Sequence, residues 1–230
     1  MNARPQDTPR PYRNLGYWLL LPAVIVAGCW VPYLSQVPHF AADITRTVHL
    51  HALLRFSWIA LLVAQPLLIR HGAVRSYRRL GRVSFVLFAL VVLSAISVIV
   101  KNYRDELGLG WSPTAALVSQ YLSAGGVVLI ILLYSLAIRR ILARDVASHL
   151  RYMLCGAIAM APAGLSRLLG YGFDIGQVVS QTVSFTVIDV VLLGLMAFNR
   201  RRGLASRPYV LTLIVYALFE GGWVALGRPI

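Results

Sequence analysis

The stretch HLHALLRFSWIALLVAQPLLIRHG, His49–Gly72, decides the fold. It is mostly apolar, and its length suits a helix that crosses a bilayer core roughly 30 Å thick, which takes about 20 residues. The same stretch carries histidine, arginine and glutamine, which are costly to place in lipid unless they have partners. It therefore predicts a transmembrane helix with a polar face.

Composition extends this prediction to the whole chain. Of its 230 residues, 58% are hydrophobic and 13% are charged, whereas a soluble domain is nearer half apolar and a quarter charged. The formal net charge of +14 would suggest a nucleic-acid partner for a soluble protein, but here the arginines form short clusters between apolar runs. We therefore predict a protein of the lipid bilayer that does not bind nucleic acid.

Seven apolar runs are long enough to span a membrane. They cover about 17–34, 48–69, 83–100, 116–138, 149–168, 177–198 and 209–226. The predicted fold is all-α, with a single transmembrane domain over 15–230 that follows a disordered N-terminal tail over 1–14. One alternative concerns the first run, where VAGC (Val26–Cys29) resembles a bacterial lipobox, and cleavage there would leave six spans.

The basic residues alternate along the chain. Sixteen of the 22 Lys and Arg residues lie in the N-terminal tail or in the loops after the second, fourth and sixth spans. Five lie in the remaining loops and at the C-terminus, and Arg55 alone lies inside a span. Because cytoplasmic loops are enriched in basic residues, this alternation predicts a cytoplasmic N-terminus and an external C-terminus.

The polar residues of the second span share one helix face. His51, Arg55, Trp58 and Gln65 follow one another at spacings of four, three and seven residues, which align on an α-helix. His49 lies two residues before His51 and points elsewhere, so this pair cannot hold one metal ion on a helix. We therefore predict that the face lines a ligand-binding pocket, and we predict no metal site.

Three further ionisable residues lie in the later spans: Arg167, Asp189 and Glu220. Because opposite charges in lipid are expected to pair, we predict that Arg55 and Arg167 face Asp189 and Glu220. Together they would form an outward-facing polar pocket that binds or transports a small ligand or ion. The alternative is an ion-pair network that only fixes the register of the helices.

The fifth span also carries a line of small and soft residues between His149 and Arg167. It consists of Met153, Gly156, Met160 and Gly164. Such a line suits either close helix packing or a slot for a flat ligand, and we expect packing.

Two histidines suggest a different class of function. His71 and His149 lie at one depth, near the cytoplasmic edge, and haem b requires axial ligands that face each other at equal depth. A b-type-cytochrome-like or quinone-linked redox protein is therefore an alternative. Further alternatives are a zinc-dependent intramembrane hydrolase and a subunit of a larger membrane complex. The sequence leaves open the ligand, any coupling ion, any catalysis and the oligomeric state.

The chain resembles an uncharacterised family of bacterial multi-span inner-membrane proteins. That family typically has His, Trp and Gln at seven-residue intervals, which are His51, Trp58 and Gln65 here, followed by a basic turn, YRRLG at Tyr77–Gly81. The family's turn has histidine where this chain has Tyr77.

Two later blocks carry the same resemblance. ASHLRYMLCGAIAMAPAGLSRL is similar to a family helix in which His149, Arg151, Met153 and Arg167 match, and VIDVVLLGLMAFNRRRGLASRP is similar to the sixth span and the turn after it. The family's His-Pro in that last turn is Arg-Pro here, at Arg207 and Pro208. The resemblance implies a polytopic helical fold, and the two missing histidines weigh against a haem or metal role that depends on them.

Overall fold

The computed structural model describes residues 16–40 and 44–226. The predicted disordered tail over 1–14 lies outside the described residues. Within them every regular element is a helix, so the all-α prediction is confirmed. The helices are α1 (Gly16–Gly28), α2 (Arg46–Arg70), α3 (Val74–Gly108), α4 (Pro113–Ser119), α5 (Tyr121–Leu142), α6 (Val146–Arg167), α7 (Gln177–Arg201) and α8 (Arg207–Ala225).

Six helices in the described ranges are long and apolar enough to cross a membrane: α2, α3, α5, α6, α7 and α8. The protein is therefore a multi-pass membrane protein. The described part of α1 has 13 residues, about 20 Å at roughly 1.5 Å per residue, and it ends at Gly28 rather than near residue 34. A short 3₁₀ turn, Leu34–Gln36, follows it.

The predicted fourth span is divided in two. Ser112 caps the short helix α4, because its side chain accepts a hydrogen bond of 3.2 Å from the backbone N–H of Ala115. Pro113 follows at the first helical position, where a missing N–H costs nothing. Helix α4 ends at Ser119, and the membrane helix α5 begins at Tyr121 rather than at residue 116.

Helix α6 runs unbroken through the segment richest in helix breakers. The side chain of Asp145 caps its start by accepting a hydrogen bond of 3.0 Å from the N–H of Ser148. The helix passes through Pro162 to Arg167 and continues as a π-helical turn, Leu168–Gly172. The span is therefore longer than the 149–168 expected.

The described chain forms two compact units. The first contains 16–23 and 44–98, which include α2 and most of α3. The second contains 24–40 and 99–226, which include the end of α1, the end of α3, and helices α4 to α8. In the second unit α6 packs against α5, α7 and α8, and α8 also packs against α5 and α7. Helix α6 is therefore the centre of this unit.

Candidate functional site

Two acidic residues face each other between α7 and α8. Asp189 lies about 18 Å from either end of α7, and Glu220 lies about 8 Å from the C-terminal end of α8, at roughly 1.5 Å per residue. Their carboxyl groups are within hydrogen-bonding reach of each other. The fold thus brings together the two acids that the sequence places in separate spans.

A tyrosine hydroxyl completes this group, which we call the acid site: Asp189, Tyr216 and Glu220. Tyr216 and Glu220 are four residues apart and share one face of α8. The side chain of Tyr216 is buried, with 2% of its surface exposed. Its hydroxyl lies within electrostatic range of both carboxyl groups. Three buried oxygens, Oδ1 of Asp189, Oη of Tyr216 and Oε1 of Glu220, have no hydrogen-bond partner within residues 16–40 and 44–226.

Aromatic rings surround the acid site. The ring of Phe185, one helical turn before Asp189, meets the edge of Tyr216 with 5.6 Å between centroids and that of Trp223 with 5.5 Å, both at 87°. Phe219 packs edge-on against Phe185 at 6.1 Å. These contacts hold α7 against α8 beside the two acids, whose side chains are half-buried.

A third helix supports the same region. The ring of Tyr121, on α5, stacks on Phe219 with 5.2 Å between centroids, and its hydroxyl donates a hydrogen bond of 3.1 Å to the Phe219 carbonyl oxygen. Gly125 and Gly222 make room for these two rings, because a Cβ on either glycine would lie 2.0–2.1 Å from Phe219 or Tyr121 respectively. Helix α8 is therefore locked between α5 and α7 at the level of Glu220.

The predicted ion pairing of Arg167 is wrong. Arg167 is exposed at the last residue of α6, and it forms no salt bridge with Asp189 or Glu220. A long arginine side chain at a helix end reaches the membrane surface at little cost. The acids therefore lie beside each other and not beside this cation. Arg55 belongs to the first unit, and its predicted approach to the acids stays a prediction.

The polar face of α2 packs on α3 within the first unit. The hydroxyl of Ser94 donates to the carbonyl of Val91 (2.9 Å), so Nδ1 of His51, at 3.0 Å, donates to the Ser94 oxygen. Trp58 is buried against Phe88, with 5.3 Å between ring centroids. Gln65, further along the same face, is half-buried. His51 and Trp58 therefore serve the contact between α2 and α3.

The two histidines considered as haem ligands occupy different settings. His149 is buried, and its Nδ1 donates a hydrogen bond of 2.9 Å to the carbonyl of Ala137 on α5, which leaves Nε2 as an acceptor. His71 is exposed at the end of α2, in the other unit. Their joint role with haem stays a prediction. No group of three or more His, Cys, Asp or Glu residues in the described part of the chain is arranged to hold a metal ion.

A polar contact that sequence reasoning missed fixes the junction of α4 and α5. Glu106, in the last turns of α3, accepts a hydrogen bond from Gln120 at Oε1 (2.9 Å) and one from Ser119 at Oε2. Gln120 is buried, and its amide also donates to the Ser119 oxygen (3.0 Å). One signal for this contact was present in the sequence. Ser112 and Pro113 indicate a helix start, and therefore a turn just after Glu106, where backbone and side-chain polar groups need partners.

A second missed group ties α6 to α7 and α8. The hydroxyl of Tyr209 lies within hydrogen-bonding reach of Asn199 and Arg151, and the thiol of Cys155 does so with Thr212. All but Arg151 are buried. Because each of these polar groups has a partner, we interpret the group as a structural contact.

Tyr216 was also missed, although its spacing of four residues from Glu220 puts both side chains on the same face of α8.

Comparisons of the chain with protein-family models, curated proteins and solved structures gave no significant match.

Proposed function

We propose that the protein is a bacterial inner-membrane protein that binds or transports a small ligand or ion through the acid site. In this proposal seven helices cross the membrane, the N-terminus is cytoplasmic and the C-terminus is outside. The alternation of basic loops along the sequence supports this topology. The resemblance to an uncharacterised bacterial family is part of the same proposal.

The observation that carries the proposal is the contact between Asp189 and Glu220 inside two membrane-spanning helices. A single ionisable group in a membrane already costs at least a few kcal/mol. Placing two acids side by side adds their mutual repulsion, unless one of them stays protonated. The two acids are not needed for helix packing, because apolar side chains of the same size would pack here without either cost. A pair of this kind is explained by a role in binding.

The acid site lies wholly within the second unit, and the proposal rests on that unit. The predicted binding residues on α2 are His51, Arg55, Trp58 and Gln65. Of these, His51 and Trp58 already contact α3, and they are not needed for the proposal. Arg167, exposed at the outer end of α6 in the proposed topology, would attract or repel charged ligands near the entrance rather than bind them inside.

Thiol labelling tests whether the acid site is reached from outside. In a chain carrying Cys29→Ser and Cys155→Ser, a cysteine is introduced by Glu220→Cys, and intact cells are treated with a charged, membrane-impermeant methanethiosulfonate reagent. We expect Glu220→Cys to be labelled, because the reagent needs water and an open path to the thiol. Leu218→Cys is the control on the same helix: Leu218 is 72% exposed on an apolar surface, where lipid excludes the reagent.

Labelling of Glu220→Cys only after the cells are opened, or no labelling at all, would contradict the proposal of an outward-facing site. Equal labelling of Leu218→Cys would show that the reagent reaches lipid-facing positions, and the experiment would then be repeated with a larger reagent of the same charge.

A further inference from the structure

We infer that the acid site binds a primary ammonium group, R–NH₃⁺, with one hydrogen bond to each of Asp189, Tyr216 and Glu220. This inference rests on the proposed function and names the chemical class of its ligand. It follows from the number of free acceptors, from the charge of the site and from the rings around it.

The acceptors match an ammonium group in number. Three buried oxygens, one on each residue of the acid site, lack a partner in the described part of the chain. A primary ammonium has three N–H donors and no acceptor, so it can satisfy all three oxygens at once. The Tyr216 oxygen is the decisive one, because this side chain is almost fully buried and its hydroxyl, which is able to accept, has no partner among the described residues. Tyr216 also lies one helical turn from Glu220, on the same face of α8.

The charge of the site also suits one monovalent cation. Two carboxyl groups within hydrogen-bonding reach of each other are stabilised when they share one proton, because two adjacent negative charges repel. The pair then carries a single negative charge. A bound ammonium group brings this charge to zero, which is the state that an apolar, membrane-embedded site favours. No proton has to enter or leave when the ligand binds.

Other charged or titratable groups nearby are engaged elsewhere. On α5 the Tyr121 hydroxyl donates to the Phe219 carbonyl. On α6, Arg151 and Cys155 are directed to Tyr209 and Thr212, and Arg167 is exposed at the helix end. Among the second unit's described residues no cation forms a salt bridge with the two acids, and a bound ammonium group would supply a positive charge there.

A metal ion fits the same atoms less well. Divalent ions such as Mg²⁺ and Ca²⁺ take six or more oxygen ligands, and this site offers three residues. Phe185 lies one turn before Asp189 on α7, Trp223 lies three residues after Glu220 on α8, and their two rings contact each other. They offer apolar surface to the carbon portion of an amine, and an aromatic face also attracts a cation.

Calorimetric titration of the purified full-length protein in detergent tests the inference. The probes are methylammonium, propylammonium, tetramethylammonium and Na⁺. We expect the two primary ammonium ions to bind, propylammonium more tightly because more of it is apolar. Tetramethylammonium has no N–H donor, so we expect it to bind at least tenfold more weakly.

Tyr216→Phe is the sharpest variant, because it removes one acceptor and leaves the ring. We expect it to weaken propylammonium binding about tenfold, and Glu220→Gln to weaken it further because a charged partner is lost. Tyr171→Phe and Asp174→Asn are the matched controls, and they should bind like the wild type. Tyr171 is exposed in the π-helical turn that continues α6, and Asp174 is exposed in the loop after it. Each variant is first shown to be monodisperse by size-exclusion chromatography.

The inference is overturned if the wild type binds no primary ammonium ion, if tetramethylammonium or Na⁺ binds as tightly, or if Tyr216→Phe binds propylammonium unchanged. It is separable from the proposed function. If Glu220→Cys is labelled from outside and no ammonium ion binds, the ligand class is wrong and the outward-facing site stands. If ammonium ions bind in detergent and Glu220→Cys is never labelled from outside, the ligand class stands and the direction of access is wrong.

Discussion

The hydroxyl of Tyr121 lies where a side chain on Gly222 would have to go: a Cβ at Gly222 would be 2.1 Å from the hydroxyl oxygen. This approach lets α5 and α8 touch beside Glu220. The ring cannot easily move aside, because it stacks on Phe219 and donates a hydrogen bond to the Phe219 carbonyl. Small residues at helix crossings allow such contacts in membranes.

Gly222→Ala should therefore destabilise the protein by about 1–3 kcal/mol, the usual cost of overpacking. The measurement is the thermal unfolding midpoint in detergent. Gly221→Ala is the matched control, since nothing lies within 4 Å of a Cβ there, and it should leave stability unchanged or slightly raised. Tyr121→Phe removes the clashing atom, so it should recover part of the loss in the double variant. Equal midpoints for Gly222→Ala and Gly221→Ala would show that the two helices are not in this contact.

A second glycine contact anchors the end of α1. A Cβ on Gly28 would lie 2.0 Å from the carbonyl oxygen of Gly164 on α6, and one on Gly164 would lie 2.7 Å from the Cα of Ile25. These are backbone atoms, so no side-chain rotation can relieve the clash. Either substitution to alanine should destabilise the protein by about 1–3 kcal/mol or more, and should lower the thermal unfolding midpoint further than Gly222→Ala does.

The control for this contact is Gly156→Ala. Gly156 is also a glycine of α6, but its Cβ would meet nothing within 4 Å. We expected the line of residues from Met153 to Gly164 to serve close helix packing. Gly164 does pack closely against α1, whereas the space beside Gly156, where a Cβ would lie, is empty to 4 Å. If Gly156→Ala and Gly164→Ala shift the midpoint equally, then α1 does not pack at Gly164.

Much of the fold follows from the sequence because lipid imposes a simple rule. A helix that satisfies its own backbone hydrogen bonds and presents about 20 apolar residues crosses the membrane. The run predicted at 177–198 therefore corresponds to α7 at Gln177–Arg201, and the run at 209–226 to α8. The break at Gln120 could not be read from hydropathy, because polar side chains contributed by α3 stabilise it.

The site was harder to predict than the spans. Asp189 and Glu220 stand out as charges in lipid, and the sequence identifies them as a candidate site. The residues that contact these two acids depend on the rotation of α6, α7 and α8 about their axes, and the sequence does not determine that rotation. The expectation that opposite charges pair in lipid led to the prediction that Arg167 faces the acids. Its long side chain can instead reach the membrane surface without an acidic partner. Tyr216 was missed because a tyrosine in a span is ordinary until its neighbours are known.

Glu106 provides the third prediction, because it holds the junction of α4 and α5. Glu106→Ala would leave the buried amide of Gln120 with one donor unpaired, at a cost of about 1–3 kcal/mol. Asp105→Ala is the neighbouring control: Asp105 only pairs with Lys101 in an exposed salt bridge one turn away, so its loss should cost about 1 kcal/mol or less. Thermal unfolding in detergent again gives the comparison. A smaller effect for Glu106→Ala than for Asp105→Ala would contradict the role assigned to Glu106.

Asp145 gives a prediction for pH, and it lies in the loop before α6. The hydrogen bonds from Ser148, through its side chain and its backbone N–H, hold the pKa of the Asp145 carboxyl below its ordinary value of 3.8. A carboxylate with a lowered pKa stabilises the folded state at pH values above its ordinary pKa. The stabilisation is lost as the pH falls from there through the lowered pKa.

The comparison is between the wild type and Asp145→Asn, which keeps a capping side chain but has no charge to titrate. We expect the wild type to have the higher unfolding midpoint at about pH 6, and the gap between the two proteins to close as the pH is lowered toward about pH 3. Asp174→Asn, at an exposed carboxyl with a positive φ of 54° that asparagine tolerates, corrects for the general effect of removing one negative charge. A gap for Asp145→Asn that stays constant over this range would mean that the Asp145 cap does not depend on its charge.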